Sequence, residues 1–209
     1  MAGSTTPVIG VLALQGDVAE HSSMLREVGA EVTEVRKPEH LEGIDGLVIP
    51  GGESSVIDKL TRIFGMREPL AEAIRQGLPV FGTCAGLILL ADELEDGIEG
   101  QHTFGGLDVT VRRNAFGSQV DSFEAEVAVD GISGPPVQVA FIRAPVVTRV
   151  GPEVTPIARL HDGGVVGVSC GNLMGVSFHP EITGDDRLHR LFVGVVQGAE
   201  FRAKQSLRA

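Results

Sequence analysis

The stretch PVFGTCAGLILLA, residues 79–91, contains one of only two cysteines in the chain. An apolar run over 78–82 predicts a buried strand and the residues from 85 to 94 predict a helix, so Cys84 lies at their junction. Gly82 and Gly86 complete the small-x-nucleophile-x-small pattern of a nucleophile elbow. A sharp strand-to-helix turn brings backbone close at both positions, where only glycine or alanine fits. The helix dipole would also favour the thiolate of Cys84.

Strand and helix patterns alternate on both sides of this junction through the first half of the chain. Short β-branched runs predict buried strands, and apolar residues at helical spacing predict helices between them. The predicted strands cover 8–14, 31–35, 46–50 and 78–82, and the predicted helices cover 17–28, 55–64, 66–76 and 85–94. This alternation indicates an α/β fold in three layers, with a mostly parallel central sheet and helices on both faces.

The second half has a different pattern. Between residues 104 and 176, short valine-rich runs are separated by clusters such as DGISGPP (130–136). These runs predict antiparallel hairpins or an antiparallel extension of the sheet. A final helix is predicted from about 186 to 204, with its apolar residues on one face. Because no repeat or linker divides the chain, we expect a single domain over 1–209.

The composition narrows the class of protein. The chain has 209 residues, a net charge of −11, and neither Trp nor Tyr, which is unfavourable for nucleic-acid binding. Two distant cysteines do not make a disulfide framework, so we expect a reducing, cytoplasmic setting. No signal peptide is apparent, and no apolar run approaches the length of about 20 residues that a membrane span needs.

A nucleophilic thiol needs a base, and one histidine has a suitable position. His179 follows the apolar run NLMGVSF and therefore closes a predicted strand. Glu181 comes two residues later, and in an extended segment its carboxylate would point to the same side and hold the imidazole. The other histidines lie among charges in helix-like or loop segments, and we expect them to be solvated. They are His21, His40, His102, His161 and His189.

A third strand end carries PGGESS, residues 50–55. Gly51 and Gly52 allow successive N–H groups to point the same way, and Ser54 or Ser55 can cap the helix that follows. Such a loop attracts an oxyanion or a carboxylate, and it lacks the Lys of a phosphate-binding loop. No metal site is expected, because the histidines show no HExxH pattern and the cysteines no paired spacing.

Each of these motifs also has an ordinary structural alternative. Cys84 could be a buried cysteine after a strand, His179 a turn histidine, and the glycine loop a plain strand–helix turn. Cys170, inside a predicted strand or hairpin, is expected to be structural. The chemical interpretation is favoured because Cys84 and His179 both close strands of one inferred sheet, and the reactive crevice of such sheets lies at the carboxyl ends of the strands. Together the motifs fit acyl transfer.

The sequence also resembles a known family over nearly its whole length. GTCAG (82–86), PGGES (50–54) and HPE (179–181) are similar to the class I, triad-type glutamine amidotransferases. VLALQGD (11–17), RNAFG (113–117) and FIRAP (141–145) narrow the resemblance to the glutaminase subunits of pyridoxal 5′-phosphate synthase. The resemblance implies a flavodoxin-like fold. It also implies hydrolysis of L-glutamine to glutamate and ammonia, without a cofactor, and delivery of the ammonia to a barrel-type synthase partner in a hetero-oligomer.

The resemblance assigns roles to particular residues. Cys84 would form a glutamyl thioester, His179 would move the protons, and Glu181 would orient His179. The N–H groups around Gly51, Gly52 and Ala85 would bind the oxyanion. Glutamine would be held by Gly52, Glu53, Ser54, Arg113, Ile142 and Arg143. An arginine there can grip the α-carboxylate in a bidentate manner. Gln15 would face the synthase partner.

One residue departs from the family pattern, and three rival functions stay open. Ser118 stands where the family often has a basic residue, which leaves the role of that loop in question. The chain could instead be an amidotransferase of another pathway, such as histidine or anthranilate synthesis, although those lack the three narrower motifs. A cysteine hydrolase or chaperone-like relative often has a histidine directly after the cysteine, where this chain has Ala85. A non-catalytic flavodoxin-like binding module is the third alternative.

Overall fold

A computed structural model describes residues 6–113 and 122–198 of the chain. Its strands are β1 (Val8–Leu12), β2 (Glu31–Val35), β3 (Gly46–Ile49), β4 (Val80–Thr83), β5 (Ala91–Glu95), β6 (Leu107–Arg112), β7 (Ser122–Val127), β8 (Val137–Ile142), β9 (Val146–Val150), β10 (Thr155–Arg159), β11 (Val165–Cys170) and β12 (Leu173–Val176). Its helices are α1 (Val18–Glu27), α2 (Ser54–Ile63), α3 (Arg67–Arg75), α4 (Ala85–Leu90), α5 (Pro180–Thr183) and α6 (Arg187–Val196), with a 3₁₀ turn at Pro38–Leu41.

Ten of the described strands form one sheet, in which β10 branches from β11 and the others run in the order β2-β1-β3-β4-β12-β11-β9-β6-β5. Neighbours from β2 to β12 are parallel, whereas the pairs β12–β11, β11–β9 and β9–β6 are antiparallel. β7 and β8 form a separate antiparallel hairpin. The predicted parallel sheet with an antiparallel extension in the second half is therefore confirmed.

The core has two parts, one on each face of the sheet. Side chains from α2, α3 and α4 pack on one face, and side chains from α1, α6 and the β7–β8 hairpin pack on the other. The strands between them alternate accordingly, since Leu47 and Ile49 of β3 join the first part and Val48 joins the second. Burial on both faces explains why the predicted strands are continuous apolar runs.

Two predicted element boundaries differ from the structure. The helix expected over 85–94 ends at Leu90, and residues 91–95 form β5, which pairs in parallel with β6. Glu93 on β5 accepts a hydrogen bond from Thr110 of β6, and Glu95 accepts one from Arg112, so polar pairing across the strands replaces a further helical turn. The last helix begins at Arg187, and the part predicted beyond 198 lies outside the described residues. Among the described helices, none is long and apolar enough to cross a membrane.

Candidate active site

Cys84 occupies a sharp turn between β4 and α4. Its backbone has φ 46° and ψ −98°, and its N–H donates to the carbonyl of Val176 at 2.8 Å. A Cβ atom on Gly82 would lie 2.5 Å from the carbonyl carbon of Gly86, and one on Gly86 would lie 2.1 Å from the carbonyl oxygen of Ile49. Both glycines are therefore required by close backbone contacts, as the elbow pattern predicts, and the strained φ is held by its surroundings.

His179 follows β12 and lies directly before α5. Its N–H donates to the carbonyl of Ala140 on β8 at 2.8 Å, so the hairpin fixes its backbone. Its Nδ1 lies 2.7 Å from Oε1 of Glu181. The predicted extended segment is wrong, because Glu181 lies in the first turn of α5. The turn nevertheless brings the carboxylate back to the ring, and both side chains are buried.

A second carboxylate, which the sequence analysis did not assign to the site, contacts the same imidazole. Oδ2 of Asp17 lies 3.3 Å from Nδ1 of His179. Asp17 precedes α1 in the loop after β1, and the carboxyl end of β1 lies at the same edge of the sheet as that of β4. Asp17 comes soon after the first strand, within the LALQGD motif, and this position could have predicted that it lies at the site.

These contacts shift the ionisation of the site in a definite direction. Burial lowers the pKa of His179, but hydrogen bonds with Asp17, Cys84 and Glu181 outweigh burial and raise the pKa above its usual range. Burial raises the pKa of Glu181, and the hydrogen bond with His179 opposes that shift. An imidazole flanked by two carboxylates and a thiol is therefore built to carry a proton.

The glycine loop packs directly against the base. A Cβ atom on Gly51 would lie 2.3 Å from Cε1 of His179, so only glycine fits there. The side chain of Glu53 caps α2 by accepting from the N–H of Ser55 at 3.3 Å. The prediction that Ser54 or Ser55 provides this cap is therefore wrong: α2 already begins at Ser54. Glu53 also donates its own N–H to Oε1 of Gln15 at 2.8 Å, which joins the loop to the one after β1.

A cavity of about 230 Å³ brings most of the predicted residues together, although Gly51, Ala85 and Glu181 are not part of its lining. It is lined by Gln15, Asp17, Gly52, Glu53, Ser54, Cys84, Ile88, Arg113, Ile142, Arg143, His179 and Ile182. All six residues predicted to hold glutamine are in this set. The carbonyl oxygen of Ile142 lies 3.9 Å from the sulfur of Cys84, so the end of β8 closes the site over the thiol.

The two arginines of the cavity have different surroundings. Arg113 donates to Glu53 at 2.7 Å and to Gln101 at 2.9 Å, and its side chain is mostly buried. Arg143 is exposed, has φ 46°, and forms no ion pair with any carboxylate among the described residues. Arg143 is therefore the cation more available to an anionic ligand group. Residues 114–118, including Ser118, lie outside the described residues.

Asp17, His179 and Glu181 are also the one group among the described residues with the spacing of a metal cluster, since their ligand atoms lie within 4.8 Å of one another. We assign them to a hydrogen-bonded site instead. Nδ1 of His179 lies 2.7 Å from Oε1 of Glu181, which is a direct hydrogen-bond distance, whereas two ligands about 2 Å from one tetrahedral zinc ion would lie about 3.3 Å apart.

The fold and the site together define an α/β protein with a thiol, an imidazole and a carboxylate at the carboxyl edge of its sheet. Comparison with known families then gives the particular assignment. The model of the SNO glutamine amidotransferase family matches residues 11–197, and the chain belongs to that family.

Individual relatives agree with this assignment over nearly their full length. The chain is 59% identical to "Pyridoxal 5'-phosphate synthase subunit PdxT" of Clavibacter sepedonicus, over 95% of this chain and 98% of that protein. It is 55% identical to the protein of the same name from Streptomyces coelicolor, over 98% and 100%. A solved structure described as a glutamine amidotransferase superposes with a TM-score of 0.83 at 48% identity, covering 90% of this chain and 98% of that one.

A more distant structure shares the fold alone. The solved structure of PurLQS from Thermotoga maritima has a TM-score of 0.65 at 19% identity, covering 92% of this chain and 98% of the matched one. The predicted class I amidotransferase-like fold is confirmed by these neighbours.

Proposed function

We propose that this chain is the glutaminase subunit of a pyridoxal 5′-phosphate synthase, and that Cys84, His179 and Glu181 form its catalytic triad. The observation that carries the proposal is a cavity lined by both the thiol and the imidazole, with the buried carboxylate of Glu181 hydrogen-bonded to the imidazole from behind. The family assignment supports glutamine as the substrate, and the name of the relatives supports the synthase as the acceptor of ammonia.

The first half of the reaction forms a thioester. His179 takes the proton of Cys84, and the sulfur attacks the side-chain amide carbon of glutamine. The carbonyl oxygen becomes an oxyanion that the N–H groups of Gly51, Gly52 and Ala85 can receive. No acceptor for these three groups is found among the described residues. The C–N bond then breaks, His179 gives its proton to the nitrogen, and ammonia leaves a glutamyl thioester on the sulfur.

The second half regenerates the thiol. His179 removes a proton from water, and the hydroxide attacks the thioester carbon. The C–S bond breaks and glutamate is released, while the proton returns to the site as the Cys84–His179 pair is restored. Glu181 takes no proton in this sequence and holds the ring through Nδ1, which leaves Nε2 to serve the sulfur.

Substrate recognition is assigned to the rim of the cavity. Arg143 is the proposed partner of the α-carboxylate, because it is the exposed cation of the cavity and has no ion pair among the described residues. Arg113 is already engaged by Glu53, and this pair would shape the wall that Gly52 and Ser54 continue. Ile142 places its carbonyl oxygen beside the sulfur.

The loop that carries Gln15 is the proposed contact with the synthase. It reaches the glycine loop twice, through Glu53 N–H to Oε1 of Gln15 and through Asp17 N–H to the carbonyl of Gly51 at 3.3 Å. Docking at this loop can therefore alter the oxyanion donors directly, which supports activation by the partner. We further propose that a single domain over 1–209 does this work in the cytoplasm, where the free thiols of Cys84 and Cys170 stay reduced.

The test is a reconstitution. The chain is mixed with a barrel-type pyridoxal 5′-phosphate synthase subunit, and glutamate and ammonia are measured with and without it. We expect glutamine hydrolysis that rises on complex formation and disappears in Cys84→Ala and His179→Asn. Hydrolysis only with the synthase subunit of another pathway would assign the chain to that pathway. No hydrolysis with any partner would favour the non-catalytic binding module.

A further inference from the structure

A second layer of buried polar groups lies behind the proposed triad. His21 of α1, Thr83 at the end of β4, and His189 of α6 are all fully buried. Nδ1 of His21 lies 2.8 Å from Nε2 of His189, and Nε2 of His21 lies 3.0 Å from Oγ1 of Thr83. The expectation that these two histidines are solvated is therefore wrong.

The sequence did contain a signal for this burial. Val18, His21, Leu25 and Val28 follow one another at helical spacing, so His21 lies on the apolar face of α1. Phe81 of β4 packs edge-on against both rings, with centroid distances of 6.4 Å to His21 and 5.8 Å to His189. The two imidazoles thus lie in apolar surroundings, where every N–H needs an acceptor.

The hydrogen bonds fix which nitrogen of each ring carries its proton. Nδ1 of His189 is buried and has no partner among the described residues. An unmatched N–H is more costly to bury than an unmatched lone pair, so the proton of His189 belongs on Nε2. His189 therefore donates to Nδ1 of His21, and the proton of His21 is placed on Nε2.

That N–H lies beside two oxygens: it donates to Oγ1 of Thr83 at 3.0 Å, and the catalytic carboxylate comes next. Nε2 of His21 lies 3.5 Å from Oε1 of Glu181, the same oxygen that accepts from Nδ1 of His179. The other oxygen of Glu181 is buried without a partner among the described residues. The opposite tautomer would turn a lone pair of His21 toward the carboxylate, which is repulsive. The burial of His189 Nδ1 and the charge of Glu181 therefore both favour the Nε2–H tautomer of His21.

We infer that His21 is a positioning residue, whose Nε2–H holds the ionised carboxylate of Glu181 in place for His179. The inference rests on the proposed function of the triad. His21 acts as a neutral dipole, because burial, then His189 and His179, keep its pKa well below the usual range. Burial likewise lowers the pKa of His189 to about 4. Neutral rings allow the only full positive charge of this cluster to reside on His179.

His21 lies on the helix that begins directly after Asp17, so α1 links the proposed docking loop to the triad. Asp17 stands at the N-terminal end of α1 and His21 lies one turn later, so one helix approaches the His179–Glu181 pair with two side chains. The loop of Gln15 leads directly into this helix. Any shift of α1 on docking is therefore transmitted to both the imidazole and its carboxylate.

The experiment compares three variants in the reconstituted complex. His21→Leu removes the N–H, and His21→Gln restores an N–H near the Nε2 position. The matched control, His189→Leu, deletes the neighbouring buried imidazole, which does not contact Glu181. Thermal unfolding of each variant reports its fold. For His21→Leu we expect kcat to fall about tenfold with KM nearly unchanged, the scale of losing one N–H dipole beside a buried charged group. His21→Gln should recover most of this loss, and His189→Leu should lose less than His21→Leu.

The pH profile gives a readout that a purely structural role does not move. The titratable groups that face Glu181 and His21 are His179, Asp17 and His189, with Cys84 beyond His179 and Asp186 beyond His189. Removing the N–H destabilises the ionised carboxylate, so the acid limb of kcat/KM should move to higher pH in His21→Leu and return in His21→Gln. A folded His21→Leu variant with wild-type kcat and acid limb would overturn the inference.

A measurement on the chain without partner or substrate separates this inference from the proposed function. Nitrogen-15 NMR of the imidazoles should show His21 as a neutral Nε2–H tautomer that does not titrate between pH 5.5 and 8.5, a window of about one and a half units around pH 7. A protonated His21, or an Nδ1–H tautomer, would overturn the inference even if glutamine is hydrolysed. The predicted tautomer together with absent hydrolysis would contradict the proposed function alone.

Discussion

The parallel half of the molecule and the half that follows β5 supply different parts of the site. The parallel half provides the sulfur of Cys84 and the backbone donors of the glycine loop. The later half provides the base His179, its carboxylate Glu181 and the cation Arg143. Neither half contains a thiol together with its base, so the chemistry depends on how the two are joined.

Two strand pairs join the halves in the sheet, β5 with β6 and β4 with β12, and the second of them forms the site. β12 comes from the late half of the chain but pairs in parallel with β4, with Gly175 opposite Gly82 and Val176 opposite Thr83. Residues that follow two parallel neighbours emerge at the same edge of the sheet. Cys84 and His179 are therefore brought together by register, although they are far apart in sequence.

The largest effect is expected from removing the thiol of Cys84, which the parallel half contributes. Cys84→Ala should lower glutamine hydrolysis by at least about a thousandfold, because Cys84 supplies the one thiol among the described residues that line the cavity. The midpoint of thermal unfolding should stay close to wild type, since the change is one buried sulfur atom. Cys170→Ala, at the end of β11, is the matched control and should retain activity. A Cys84→Ala complex that hydrolyses glutamine at the wild-type rate would remove the parallel half from the chemistry.

The next effect tests the contact between the halves. Gly51→Ala would place a Cβ atom 2.3 Å from Cε1 of His179. Because the ring must move, we expect a loss of about a hundredfold in kcat/KM, the scale of a misplacement of about 1 Å. Gly164→Ala, in the turn before β11, meets only the side chain of Asp162 and serves as the control. Full activity in folded Gly51→Ala would show that the glycine loop and the base are independent.

A smaller effect is expected within the late half. Glu181→Gln keeps the shape of the side chain and removes its charge, so His179 is oriented but its cationic form is less stabilised. We expect kcat to fall about ten- to a hundredfold, short of the loss in Cys84→Ala, because the third member orients and does not react. Steady-state kinetics of both variants in the same complex check the order. An equal loss in the two variants would mean that Glu181 does more than orient.

The smallest effect is expected at Asp17, a carboxylate of the parallel half that contacts His179, the base in the later half. Asp17→Asn removes a negative charge 3.3 Å from Nδ1 of His179 and should lower the raised pKa of that imidazole. His179 must hold a proton to release ammonia, so activity is lost as the pH rises through this pKa. The alkaline limb of kcat should therefore move to lower pH in Asp17→Asn, with little change at neutral pH. An unmoved limb would show that Glu181 alone sets the pKa.

The two halves also differ in how far the sequence predicts them. In the parallel half, apolar runs and helical spacing locate the strands and helices to within a few residues, because each strand is buried on both faces. The same rules fail at β5, where ADELE has no apolar pattern and the strand is held by polar pairing with β6. They also fail at Glu181, since α5 has only four residues and its turn follows from tertiary contacts with β8.

Within the site, residues at strand ends could be predicted, whereas for residues on helix faces the sequence can indicate burial but not the partners. Cys84, His179 and the glycine loop each follow an apolar run, and topology places them at one edge. His21 and His189 were assigned to solvent because their neighbours in sequence are polar, whereas the packing of α1 and α6 on the sheet buries both. The identity of a buried histidine's partner depends on which helices meet, and local patterns do not contain that information.

The central claim is that Cys84 of the parallel half and His179 of the later half form one site. Its most direct test is labelling of the chain, within the reconstituted complex, by a glutamine analogue that carries an electrophile, followed by mass spectrometry. We predict one adduct, on Cys84, formed faster in wild type than in His179→Asn and blocked by glutamine. An adduct at Cys170, or labelling of Cys84 that is indifferent to both His179 and glutamine, would contradict the account.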